Sequence, residues 1–75
     1  MLEMANEQEL LAETEQLIAD YTQHVAKQEA QIAELSIRGP PPSDAVDVLK
    51  QLREMLRIAK SNRDFIRRKM RGEAD

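Results

Sequence analysis

No cysteine occurs in the sequence, which excludes disulfides, thiolate zinc sites and iron–sulfur clusters as sources of stability or chemistry. Histidine occurs once, at His24, so no histidine-rich metal site can be assembled within one chain. Tyr21 and Phe65 are the whole aromatic complement, too few for the stacking platforms that single-stranded nucleic acid prefers. No apolar run approaches the roughly 18 residues of a membrane-spanning helix. The opening MLEMANEQELL carries acids where a signal peptide needs lysine or arginine, and the chain is expected to be cytoplasmic. Glycine occurs twice and proline three times, and all of these except Gly72 fall in one tetrapeptide.

Motifs of catalysis are equally scarce. The sequence has no Gly-rich phosphate loop, no nucleophile elbow and no Ser–His pairing at a recognisable spacing. The helical di-iron motif needs Glu three residues before His, and Tyr21 stands there. The residues therefore indicate no enzyme, no cofactor, no catalytic group and no metal ligand set. His24 follows Asp20 by one helical turn and is expected to hydrogen-bond that carboxylate.

What remains is helix. The break at Gly39-Pro40-Pro41-Pro42 ends one helix and separates it from the next, because proline cannot continue a helix and glycine suits the residues past its end. Ser43 is placed to cap the second helix, with Asp44 and Asp47 near its positive end. One domain is expected over residues 1–75: helix 1 about 3–38, a loop at 39–43 and helix 2 about 44–71.

Helix 1 carries an aliphatic residue followed by alanine every seven residues, at Met4-Ala5, Leu11-Ala12, Ile18-Ala19, Val25-Ala26 and Ile32-Ala33. With the aliphatic residue at heptad position a, position d is Glu7, Thr14, Tyr21, Gln28 and Leu35, and alanine fills b. Such a sustained seven-residue period marks helix–helix contact. The small shoulder at b is expected to let a neighbouring backbone approach. Helix 2 continues the pattern with Ala45, Leu49, Leu52, Leu56, Ala59, Ile66 and Met70 at a and d, interrupted by Arg63. A second strip of Val48, Met55, Ile58 and Phe65 widens its apolar face beyond what one partner helix covers.

The fold expected is all-α, an antiparallel two-helix hairpin of coiled-coil type that associates with itself into a four-helix bundle. A chain this short builds too small a core to be comfortably stable alone, which again favours a homodimer or higher homo-oligomer. Its interface is assigned to Leu11, Ile18, Tyr21, Val25, Ile32, Leu49, Leu52, Met55, Leu56, Ile58, Phe65 and Ile66, with Arg63 as the polar residue that sets register. Arg63 either reaches Thr14, Glu15 or a second chain, or lays its stem along the seam and its charge in water. Simple antiparallel counting from the loop sets Ile32 against Leu49, Val25 against Leu56, Ile18 against Arg63 and Leu11 against Met70.

Charge supports the antiparallel arrangement. Residues 1–20 hold acids and no base, whereas residues 57–71 hold seven bases and only Asp64 as an acid. The hairpin lays these segments side by side. Arg67, Arg68, Lys69 and Arg71 form a short basic run, a possible polyanion contact, but the formal charge of the whole chain is −3. A non-enzymatic interaction module, with itself or an unidentified protein as partner, is the leading expectation. The alternative is a small nucleic-acid-associated regulator using the basic end of helix 2.

The stretch His24-Val25-Ala26-Lys27-Gln28 with Ile32-Ala33-Glu34-Leu35, followed by Arg63-Asp64-Phe65-Ile66, resembles a family of short uncharacterised bacterial proteins. Those carry H-I-A-R-Q-x-x-x-I-A-E-L, a short break, then a leucine-rich helix ending in R-D-x-I. The resemblance implies a helical hairpin and carries no activity, cofactor or catalytic residue with it. The chain is also similar to type III secretion needle subunits, short helical hairpins with a proline-containing turn.

Overall fold

The computed structural model describes the backbone of residues 2–72 and the side chains of residues 6–72. Met4 and Ala5, the first pair of the heptad series, lie outside the described side chains. Two helices make up the fold, α1 (Leu2–Ser36) and α2 (Ser43–Met70), packed against each other. The described residues contain no strand.

The heptad lettering predicts burial almost residue by residue. In α1 every described side chain that is not exposed lies at a or d: Glu7, Leu11, Thr14, Ile18, Tyr21, Val25, Gln28 and Ile32. In α2 the same holds for Ala45, Leu49, Leu52, Leu56, Ala59, Arg63 and Ile66, with Val46 the one addition. The seam is thin. Among the described residues only Ala59, Ile66 and Thr14 are buried, at 6%, 8% and 7% exposure, and no large side chain is wholly enclosed. Thr14 satisfies its hydroxyl locally, donating to the Leu10 carbonyl at 2.8 Å.

The connection differs from expectation in three details. α1 stops at Ser36, and the amides of Ile37 and Arg38 bond back to the carbonyls of Glu34 and Leu35 in a tightened last turn. Gly39 then takes φ +148°, a conformation that disfavours any side chain. Ser43 is not the cap: Pro42 holds that position, no side chain caps the helix, and the Pro42 carbonyl accepts from the amides of Ala45 and Val46. Pro42 already has an extended backbone (φ −58°, ψ 140°), so the helix starts without help from the hydroxyl. Asp44 alone supplies acid to the first turn, Asp47 lying beyond it.

The register also departs from simple counting. Tyr21 and Ala59 line one cleft, as counting places them, but Leu10 shares a cleft with Phe65 and Ile66 and the Gln28 amide donates to the Ala45 carbonyl at 3.0 Å. α2 is thus displaced by about one turn toward the start of α1, because the Gly-Pro-Pro-Pro segment, ending in the extended Pro42, uses length on the α2 side. The displacement accounts for both ends of the seam. Leu35, at position d, overhangs the start of α2 and stays exposed, and Met70 at the other end is exposed instead of facing Leu11.

The result is a slab. Its principal extents are 56 × 21 × 14 Å and its radius of gyration is 16.8 Å, against about 11 Å for a compact domain of this length. The shortest extent is little more than one helix diameter. Each helix therefore has one covered side and two broad faces without a third layer.

Candidate functional site

In an antiparallel helix pair, positions e of both helices flank one broad face and positions g flank the other. The heptad letters show that these two faces have opposite chemistry.

The e side is ionic. Glu15 of α1 accepts from Arg67 of α2 at 2.8 Å, and Glu29 accepts from Arg53. Each pair joins an e position to an e position. Beside them run Lys50 and Arg57 of α2 and Arg71 just past its end, and the alanine shoulder of α1 borders the same face. Ala12, Ala19, Ala26 and Ala33 are all exposed, so the small residues admit no neighbour within the chain, because position b points away from α2. Arg57 is held by Glu54 on its own helix through both Nε and Nη2. That hydrogen bond, aided by the positive charge of Arg57, lowers the pKa of the Glu54 carboxyl below the usual glutamate value, and the arginine is raised in return.

The g side is apolar and open. Leu10 and Leu17 of α1 and Val48, Met55, Ile58 and Phe65 of α2 are all roughly half exposed. Between them runs a groove of two consecutive clefts, about 340 Å³ and 190 Å³, that share Thr14 and Asn62. Thr14, Asn62, Ala59 and Ile66 line its floor; Leu10, Leu17, Ile58 and Phe65 form its rims. Lys69 bends over the Phe65 ring, its Nζ 5.6 Å from the centroid, a cation–π contact on the groove's outer edge.

The residues assigned from sequence to one interface thus fall into two groups. Leu11, Ile18, Tyr21, Val25, Ile32, Leu49, Leu52, Leu56 and Ile66 are used in the hairpin seam. Met55, Ile58 and Phe65 stand on the open face. Leu10 and Leu17, equally prominent there, belong with them. Their g lettering, matched against the g positions of α2, was the signal that could have found them.

Arg63 occupies the seam with its side chain 25% exposed and donates from Nε to Asp64 at 3.1 Å. Its carboxylate partner is its own neighbour, not a residue of α1. His24 is exposed and does not bond Asp20, which accepts instead from the Gln16 amide at 3.1 Å; the glutamine one turn upstream reaches that oxygen first. The basic run does not form one patch. At about 100° per residue, Arg67 and Arg71 lie toward the e side and Lys69 toward the g side, with Arg68 between them on the outer surface.

Among the described residues, no group of three or more His, Asp or Glu side chains is placed to hold a metal ion, and no helix is long and apolar enough to cross a membrane. No buried side-chain polar atom lacks a partner among them. No family model matches the chain, and neither a curated protein nor a solved structure matches it.

Proposed function

We propose that the chain is a non-enzymatic helix-association module that closes its open apolar face against a second copy of itself, making a four-helix homodimer. The observation that carries the reading is the groove face. Leu10, Leu17, Met55, Ile58 and Phe65 are large, apolar, roughly half exposed and gathered on one side of a slab whose seam buries almost nothing completely. The surface area agrees. The chain exposes 6017 Å², whereas a compact monomer of this mass exposes about 4,700 Å². Covering one broad face on each of two copies removes an excess of that size.

Light scattering at tens of micromolar tests it, with an expected mass twice the 8.6 kDa of the chain. Leu17→Glu with Phe65→Glu should reduce that to the monomer mass while helix content persists, because neither residue is in the seam. Ala19→Gln with Ala26→Gln, on the opposite face, should leave the dimer intact. A monomer that melts cooperatively at that concentration overturns the reading.

A second reading has one observation in its favour. Lys50, Arg53, Arg57, Lys60, Arg67 and Arg71 follow one ridge of α2 at helical spacing, interrupted only by Asp64, and such a ridge could track a polyanion. Glu29, Glu54 and Glu15 already engage Arg53, Arg57 and Arg67, which leaves this reading the weaker. Oligonucleotide binding that falls steeply with salt and is lost in Lys50→Gln with Lys60→Gln would promote it over the first.

A further inference from the structure

Self-association through the open face, the reading on which this inference rests, leaves the relative direction of the two copies undefined. With helices kept nearly parallel, only two two-fold arrangements bring this face against itself. In one the axis runs along the helices, the loops of both copies lie at the same end, and α1 of one copy lies over α2 of the other. In the second the axis crosses the helices, the loops lie at opposite ends, and each helix lies over its own equivalent.

Two independent features of the face discriminate between these arrangements. The first is where its apolar residues lie. Leu10 and Leu17 sit in the first half of α1, level with Phe65 and Ile58 in the last half of α2, and together they border the groove far from the loop. Toward the loop the same face presents His24 and Gln31 on α1, and Gln51 beside Val48 on α2. Loops at the same end set the apolar half of one face on the apolar half of the other. There Leu10 of one copy meets Phe65 of the second, and Leu17 meets Ile58. Loops at opposite ends set that half against glutamine and histidine, leaving large apolar side chains opposed to polar ones.

The second feature is charge. The first half of α1 carries Glu7, Glu9, Glu13, Glu15 and Asp20 with no base, and α2 from Arg57 onward carries six bases against Asp64. The ion pair of Glu15 with Arg67 uses one member of each set on the far face. Glu13 and Asp20 rim the open face on one helix, and Lys69 borders it on the other; none of these three makes a salt bridge among the described residues. Loops at the same end bring the acidic half of α1 over the basic half of α2 twice, once for each copy. Loops at opposite ends place that acidic half over residues 24–38, where Lys27 and Arg38 are balanced by Glu29 and Glu34. The basic half of α2 would likewise lie over residues 43–56, where Asp44, Asp47 and Glu54 face Lys50 and Arg53. Near-neutral juxtapositions replace strongly complementary ones, and complementarity of this kind fixes register and orientation.

We infer that two copies associate with their loops at the same end, the two-fold axis parallel to the helices and the acidic half of each α1 against the basic half of the other α2. The dimer then has one pole with both proline loops and one with all four helix ends away from them.

A single spin label decides it. The chain has no native cysteine, and Ile37 is 83% exposed beside the loop, so Ile37→Cys places one label per chain at the loop end without touching seam or groove. Pulsed dipolar spectroscopy on the full chain should give an interlabel distance of about 20–30 Å, the width of a four-helix bundle plus the label arms. A distance approaching the 56 Å length of the molecule overturns the orientation while leaving self-association intact. A labelled chain that scatters as a monomer and gives no intermolecular distance overturns both the orientation and the reading beneath it.

Discussion

Arg67 and Glu15, fifty-two residues apart in sequence, are joined at 2.8 Å, and with Arg53 and Glu29 they fasten one edge of the hairpin. Both pairs link e positions, and both are about half exposed. Water and salt therefore screen them, and each contributes on the order of a few tenths of a kcal/mol. Their effect is mainly on direction, since antiparallel packing of these two helices is what brings acid to base.

Arg67→Gln should lower the melting temperature by a degree or two in dilute buffer and by less in 1 M salt, where screening has already weakened the pair. A loss as large in high salt as in low would mean that the arginine stem, not its charge, supports the fold.

Glu54 offers a local pH readout. Arg57, through its hydrogen bond first and its charge second, holds the Glu54 carboxyl below the usual glutamate value. A depressed folded value means the stabilisation is complete above the ordinary glutamate pKa and is lost as pH falls through the lower folded one. Carboxyl NMR titration should show Glu54 protonating below the usual glutamate range, and Arg57→Gln should return it to that range. An unchanged midpoint in that variant would dissociate the shift from Arg57.

Ala59 is among the most covered positions in the seam and shares a cleft with Tyr21. Ala59→Leu should overfill that level and cost about 1–3 kcal/mol, read by chemical denaturation. A neutral or stabilising result would show that the slab opens there to accept a larger side chain.

Arg63 is bonded to its own neighbour, Asp64, and its stem lies along the seam. Replacement by leucine should hold or raise the melting temperature, because an apolar residue suits the position at least as well. Analytical ultracentrifugation then separates its two sequence-level roles. A snorkelling arginine leaves the oligomer homogeneous, whereas a register lock gives mixed species when removed. A drop of many degrees would contradict both.

The element count, the break and the buried stripe were legible because each rests on local chemistry. Proline stops a helix wherever it stands, and a seven-residue period can face only one way. Register was less legible: counting outward from the middle of the loop treats it as symmetrical, and the segment ending in the extended Pro42 shifts α2 by about a turn, which uncovers Leu35 and Met70. The basic run from Arg67 to Arg71 read as a patch because sequence adjacency hides the 100° step between neighbours. Ser43 and His24 each had a plausible partner by spacing, but the Pro42 carbonyl and Gln16 supplied nearer ones. The division into an ionic and an apolar face was present in the letters all along. It becomes visible when e is compared with e and g with g across the two helices.

That division also sets where assembly stops. A slab with two apolar faces would stack copy upon copy into a filament, since each addition would leave a fresh adhesive surface. Here the far face carries Glu15 with Arg67, Glu29 with Arg53 and the lysines and arginines beside them, well hydrated and poorly suited to bury another slab. The pairing proposed above would consume the adhesive side of both copies at once, and growth would close at a point-group dimer.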